Sequence, residues 1–242
     1  NLIRNLKFSA TRHSNLLCIK SGLLTKRQWD IATTRINLIE LRQNFLTKIF
    51  SFYIALIHCN GYGKKKDELS VLIPAGRKTE ITQTIKLLLP EIPICESSIR
   101  PKIRYLSRFL IPPISWIFGV LIGTIILNYF FPRLYDIIIF IRIMAFIPCF
   151  CFLGVKIISY LHTGIGLSND VYTFRFTYIF TIKTVAVPKK RIVKMQIRQS
   201  LFQVMSGCCD LVVYTYCESK KRHVIPNLNY EQVLLLLKDD IK

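Results

Sequence analysis

Residues 110–131 read LIPPISWIFGVLIGTIILNYFF, a stretch without one charged side chain. At 1.5 Å of rise per residue a helix of this length spans roughly 33 Å, enough to cross the hydrocarbon core of a bilayer. Pro112 and Pro113 are expected at the helix start, where a missing N–H costs least, with Trp116 and Tyr129 near its two ends as interfacial aromatics. A second run, 137–161, reads IIIFIRIMAFIPCFCFLGVKIISYL and is interrupted by Arg142 and Pro148. Only residues 132–136 separate the runs, which predicts a tight transmembrane hairpin.

The flanks predict its orientation. Arg100, Lys102, Arg104 and Arg108 precede the first run and Lys156 closes the second, whereas the connecting turn sets Arg133 against Asp136. The positive-inside bias places both large flanks in the cytoplasm and the turn outside, so the chain is expected to be a multi-pass protein of the cell membrane. Composition agrees. The 242 residues carry 34 Lys+Arg against 14 Asp+Glu, a formal charge of +20, and are 51% hydrophobic. Apolar mass in lipid and basic mass at anionic headgroups reconcile the two. There is no helix-turn-helix or aromatic RNA-binding motif, so nucleic acid is not the expected partner. The chain begins at Asn1 without an apolar leader and reads as part of a longer protein.

Outside the hairpin, the sequence matches itself at an offset of 156 residues. RINLIELRQNFLTKIFSFYIALIHCNGYGKKK, residues 35–66, aligns without gaps on RIVKMQIRQSLFQVMSGCCDLVVYTYCESKKR, residues 191–222. Arg35/Arg191, Ile36/Ile192, Arg42/Arg198, Gln43/Gln199, Lys64/Lys220 and Lys65/Lys221 are identical, and apolar positions such as Leu56/Val212 and Ile57/Val213 agree throughout. Ile73-Pro74 then answers Ile225-Pro226, and each copy ends in an apolar stripe at helical spacing, Ile81, Ile85, Leu89 and Val233, Leu237, Ile241. Alternating segments upstream, Leu16–Lys20, Leu23–Arg27 and Val171–Phe176, predict strands. Each unit is therefore several strands followed by one helix.

The R-I pair and the IRQSLFQVMSG run of Ile197–Gly207 resemble the bacterial pleckstrin-homology-like (bPH2) domain, and the domain–hairpin–domain order resembles membrane proteins of the YdbT type. The first copy departs by having Ser51 where Gly207 stands. The resemblance implies an α+β fold with transmembrane helices: two strongly bent β-sheet or barrel domains, each closed by a C-terminal helix. The expected boundaries are 1–95 for the first domain, 96–109 for a basic linker, 110–131 and 137–161 for the helices, and 162–242 for the second domain. The resemblance brings no catalytic activity, and roles in envelope stress or antimicrobial-peptide defence are its only functional hints.

The sequence offers few other candidates. Lys64, Lys65, Lys66 and Lys220, Lys221, Arg222 fall at equivalent positions and read as basic loops, either solvated turns or contacts for anionic lipid worth about 1 kcal/mol per base. Arg142 is an intramembrane charge expected to snorkel toward the turn and Asp136, or else to line a path in a multi-span transporter. Arg35 and Arg42, seven apart, fall on opposite strand faces, so ion pairing rather than a joint anion site is their expected role. The eight cysteines form no C-x-x-C pair and read as reduced, mostly buried thiols. His13, His58, His162 and His223 have no recurring acidic or nucleophilic neighbours, and no hydrolase, phosphate-loop or zinc-protease motif occurs. The expectation is a non-enzymatic scaffold without metal or cofactor, partnered by membrane lipid and by another protein or itself; anionic-lipid sensing and transport are the alternatives.

Overall fold

A computed structural model describes residues 8–21, 27–44, 47–48, 50–59, 70–168, 170–216 and 221–239. The chain divides into two compact units, Asn1–Arg100 with Thr163–Lys242, and Pro101–His162.

The second unit is the hairpin. Helix α2 (Leu106–Phe130) and helix α3 (Tyr135–His162) are joined by a short 3-10 turn at Pro132–Leu134. Phe109 packs edge-on against Tyr160, ring centroids 5.7 Å apart, so the beginning of α2 lies beside the end of α3. Only 11% of the most apolar window of each helix is buried, which is the exposure of lipid-facing helices rather than of a soluble core. Helix α2 starts earlier than the charge-free run: Pro112 and Pro113 lie inside it, not at its start. Packing explains the difference. Tyr105 and Phe109 are buried before the prolines, and this burial holds a turn of helix that the prolines alone would not start.

The first unit gathers the chain before and after the hairpin. Before it come β1 (Ser9–His13), β2 (Leu16–Ser21), β3 (Arg27–Ala32), a 3-10 turn at Thr33–Arg35, β4 (Ile36–Asn44), β5 (Phe52–Cys59), β6 (Ser70–Arg77) and helix α1 (Lys78–Leu88). After it the same order returns: β7 (Gly164–Ser168), β8 (Val171–Tyr178), β9 (Thr181–Pro188), a 3-10 turn at Lys189–Arg191, β10 (Ile192–Arg198), the short helix α4 (Leu201–Ser206), β11 (Cys208–Thr215), β12 (Lys221–Asn229) and helix α5 (Tyr230–Asp239). Ser51 and Gly207, both just before the fifth strand of their half, take left-handed backbone with φ of 55° and 67°. The serine thus supplies the same turn at a cost glycine avoids. In α4, the Ser200 hydroxyl accepts from the Gln203 backbone while the Gln203 side chain accepts from Ser200 N–H, and Gly207 closes the helix.

The two halves do not form separate sheets. Strands β1-β2-β3 make one small sheet and β10-β11-β12 another, while β6-β5-β4-β9-β8-β7 form a single six-stranded central sheet. Strand β4 of the first half and β9 of the second pair antiparallel from Ile39↔Ala186 to Asn44↔Thr181. Side-chain alternation then sorts two cores onto its two faces. Ile39, Leu41, Ala55, Ile57 and Ala186 join Leu17, Ile19 and Ile31 of the first small sheet and Ile81 and Ile85 of α1. Leu38, Tyr172, Phe174, Phe176, Val185 and Val187 join Leu211, Val213 and Ile225 of the other small sheet and Val233 of α5. Residues 96–99, expected within a basic linker, instead run along β7: Ile99 and Ile165 exchange both backbone hydrogen bonds at 2.9 Å. Gly164 and Gly166 admit this approach. A Cβ on Gly166 would collide with the Glu96 carbonyl oxygen, and one on Gly164 would come within 2.9 Å of the Ile99 carbonyl oxygen.

Candidate functional site

The seam between the halves contains a buried carboxylate. Pleating turns Leu38, Glu40 and Arg42 of β4 to the face of the second core, beside His58 of β5 and Lys183 of β9. Glu40 retains only 3% side-chain exposure. Its Oε1 accepts from Arg42 Nε at 2.8 Å and faces Lys183 Nζ at 3.2 Å; its Oε2 accepts from Arg42 Nη2 at 3.0 Å and lies 2.8 Å from His58 Nε2. Burial by itself would raise the Glu40 pKa. The hydrogen bonds from His58 and Arg42, and the charges of Arg42 and Lys183, outweigh it and hold the carboxyl well below the usual carboxylate range.

Three of these four side chains belong to the first half and Lys183 to the second, so the cluster ties the halves together. Other polar contacts do the same: Thr181 Oγ1 donates to Asn44 Oδ1 at 3.1 Å, and Arg191 Nη2 donates to the Thr34 carbonyl. Lys183 Nζ also lies 5.3 Å above the Tyr178 ring, which connects the carboxylate to the β8–β9 turn. Chemically this is a charge clamp with every carboxylate lone-pair direction occupied. It leaves Glu40 no free oxygen to act as a base.

The residues singled out from the sequence are distributed differently. Lys64, Lys65, Lys66 and Lys220 lie outside the described residues. Lys221 and Arg222 begin β12, opposite Thr215 and Tyr214, and are strand residues rather than loop residues. Arg142 is half-buried on α3, and among the described residues no ion pair joins it to Asp136. Arg42 forms an ion pair, whereas Arg35 ends the 3-10 turn before β4. Burial, followed by the neighbouring Asp210 charge and Cys208, pushes the Cys209 thiol up to about 12, which suppresses the thiolate that redox chemistry would need. Glu40 and Lys183 were missed by the sequence reading. The available signal was the one acid of strand β4, two residues from Arg42 on the same face, with Gln196 at the matching place in the second half.

Two apolar helices of spanning length and a mixed body of sheets and helices define a membrane protein with a PH-like domain. The chain belongs to the bacterial PH domain family, whose profile matches residues 109–238, more than half of its length, covering both apolar helices and β7 through most of α5. It is also similar to the UPF0699 transmembrane protein YdbT of Bacillus subtilis (strain 168), with 25% identity over 112 residues, 45% of this chain and 23% of that protein. The aligned part thus spans under a quarter of the relative's length. No solved structure matches the chain.

Proposed function

We propose that this protein is a non-enzymatic assembly module, anchored by its hairpin in the cell membrane, that presents two fused PH-like units on the cytoplasmic side. Each half supplies six described strands and a closing helix in the same order, which supports two copies of one unit. The basic residues Arg100, Lys102, Arg104 and Arg108 beside the first span support the cytoplasmic orientation. The scaffold role is carried by the contrast between β4 and β10, equivalent strands of the two halves. Strand β4 is covered by β9, whereas β10 pairs only with β11 among the described residues. Val193 on that open edge is 58% exposed, and α4, which follows it, exposes Leu201, Phe202, Val204 and Met205. An unpaired edge running into an apolar surface is suited to strand addition. The seam indicates the occupant: the third strand of another PH-like unit, docked as β9 docks on β4.

Incorporating a photo-crosslinking phenylalanine derivative at Val193 of the full chain tests this in native membranes. The expected product is an adduct with a second PH-like polypeptide, absent when the probe replaces Asn37, the buried counterpart on β4. A Val193 probe that reacts only with water or lipid would overturn the assembly role.

A further inference from the structure

The central sheet has one end with unusual surface chemistry. Along a single register line, Gly164 pairs with Arg175, Arg175 with Thr184, Thr184 with Leu41, Leu41 with Ala55, and Ala55 with Ile73. Three residues beyond that line, about 10 Å at strand rise, the strands end in a group of uncovered apolar side chains. The end of β8 and its turn into β9 expose Tyr178 by 61%, Ile179 by 64% and Phe180 by 55%, while Phe50, just before β5, is exposed by 69% and Phe52, its first residue, by 44%. Ile179 has a φ of 53°, a left-handed conformation that a β-branched residue adopts only under strain. Exposed Arg77 and Lys78 stand at the same end, Arg77 directly opposite Phe52.

Both covalent connections to the hairpin leave the sheet heading toward this end. Strand β7 begins at Gly164, on the register line itself, and Thr163 alone separates it from α3. The antiparallel bridge between Ile99 and Ile165 sends Arg100 out in the same direction. By contrast, β5 ends at Cys59 at the other end of the sheet.

We infer that this apolar end is a lipid-binding surface: Phe50, Phe52, Tyr178, Ile179 and Phe180 enter the headgroup–acyl boundary of the anionic leaflet, with Arg77, Lys78 and Arg100 at the phosphates. Aromatic and aliphatic side chains ringed by bases form the chemistry of interfacial docking, in which apolar burial supplies adhesion and basic residues supply preference for anionic lipid. Lys183, clamped to Glu40 and resting over the Tyr178 ring, keeps the turn fixed. The inference rests on the hairpin being membrane-embedded.

The test uses the full chain in anionic lipid nanodiscs, with and without bromine atoms on the upper acyl chains. In a Trp29→Phe, Trp116→Phe background, Phe180→Trp is expected to fluoresce blue-shifted and to lose emission in brominated discs, whereas Lys190→Trp at the far end of the sheet keeps its emission. A Phe180→Trp signal that brominated lipid leaves unchanged overturns the inference, whether that tryptophan is solvated or covered by another protein. Trp116 in the Trp29→Phe chain separates the two levels of failure. If Trp116 is quenched and Phe180→Trp is not, the lipid surface alone is wrong; if neither is quenched, the membrane anchoring is wrong.

Discussion

Replacing Glu40 by glutamine removes one negative charge from the seam while nearly preserving shape. Arg42, with 29% side-chain exposure, and Lys183, with 22%, would then face each other across β4 and β9 with no carboxylate between them. Breaking a buried ion pair by removing one partner costs about 3–5 kcal/mol, because the remaining charge stays desolvated. Both cations here retain some access to water, which brings the expected cost toward the lower limit, about 3 kcal/mol. The loss is local, since the carboxylate joins β4 to β9 and touches neither small sheet. Amide hydrogen exchange on the full chain in nanodiscs should therefore show the 39–44 and 181–186 amides opening on the order of 100-fold more readily. Amides of β11 and β12 should keep their protection. Exchange at the seam within about twofold of the unmodified chain would refute the clamp. Adding Lys183→Met to Glu40→Gln should recover part of the protection, because it removes a cation left without its counter-charge.

The same carboxylate predicts a pH dependence. Its folded pKa is depressed below the ordinary value of 4.5, so its contribution is fully present above that value and is lost as pH falls toward the folded one; seam protection should decline in acid, and less so in Glu40→Gln. Gly166→Ala should release residues 95–99 from β7, because the new methyl meets the Glu96 carbonyl, and proteolysis in that segment is the readout. Cys209, fully buried and with its pKa near 12, should resist maleimide at mildly alkaline pH in the folded chain and react once denaturant is added.

Much of this architecture was legible because it depends on local spacing. The charge-free run predicted α2, and the offset of the self-match is also the spacing between β5 and β11 and between the two 3-10 turns. The seam was not legible. In INLIELRQN, residues 36–44, Leu38, Glu40 and Arg42 share a face that looks half solvated, as an ordinary outer strand face would. The strand that covers its edge lies well over a hundred residues later, beyond the hairpin, and no periodicity reports which edges meet. The early start of α2 escaped for a related reason: the prolines report local backbone cost, whereas the burial of Tyr105 and Phe109 is a tertiary gain.

Comparison of the two halves also explains why the seam forms once. Pairing β4 with β9 is head-to-tail, and β10 and β3 are the same kinds of edge left over at the two ends of the series. In the seam Arg42 stands opposite Lys183, and Glu40 neutralises the juxtaposition. On β10 the matching places hold Arg198 and Gln196, so a base brought opposite Arg198 would meet it with no carboxylate between them. If the edge takes a partner strand as proposed, this one-residue difference between Glu40 and Gln196 favours a strand with a neutral or acidic residue at the position of Lys183.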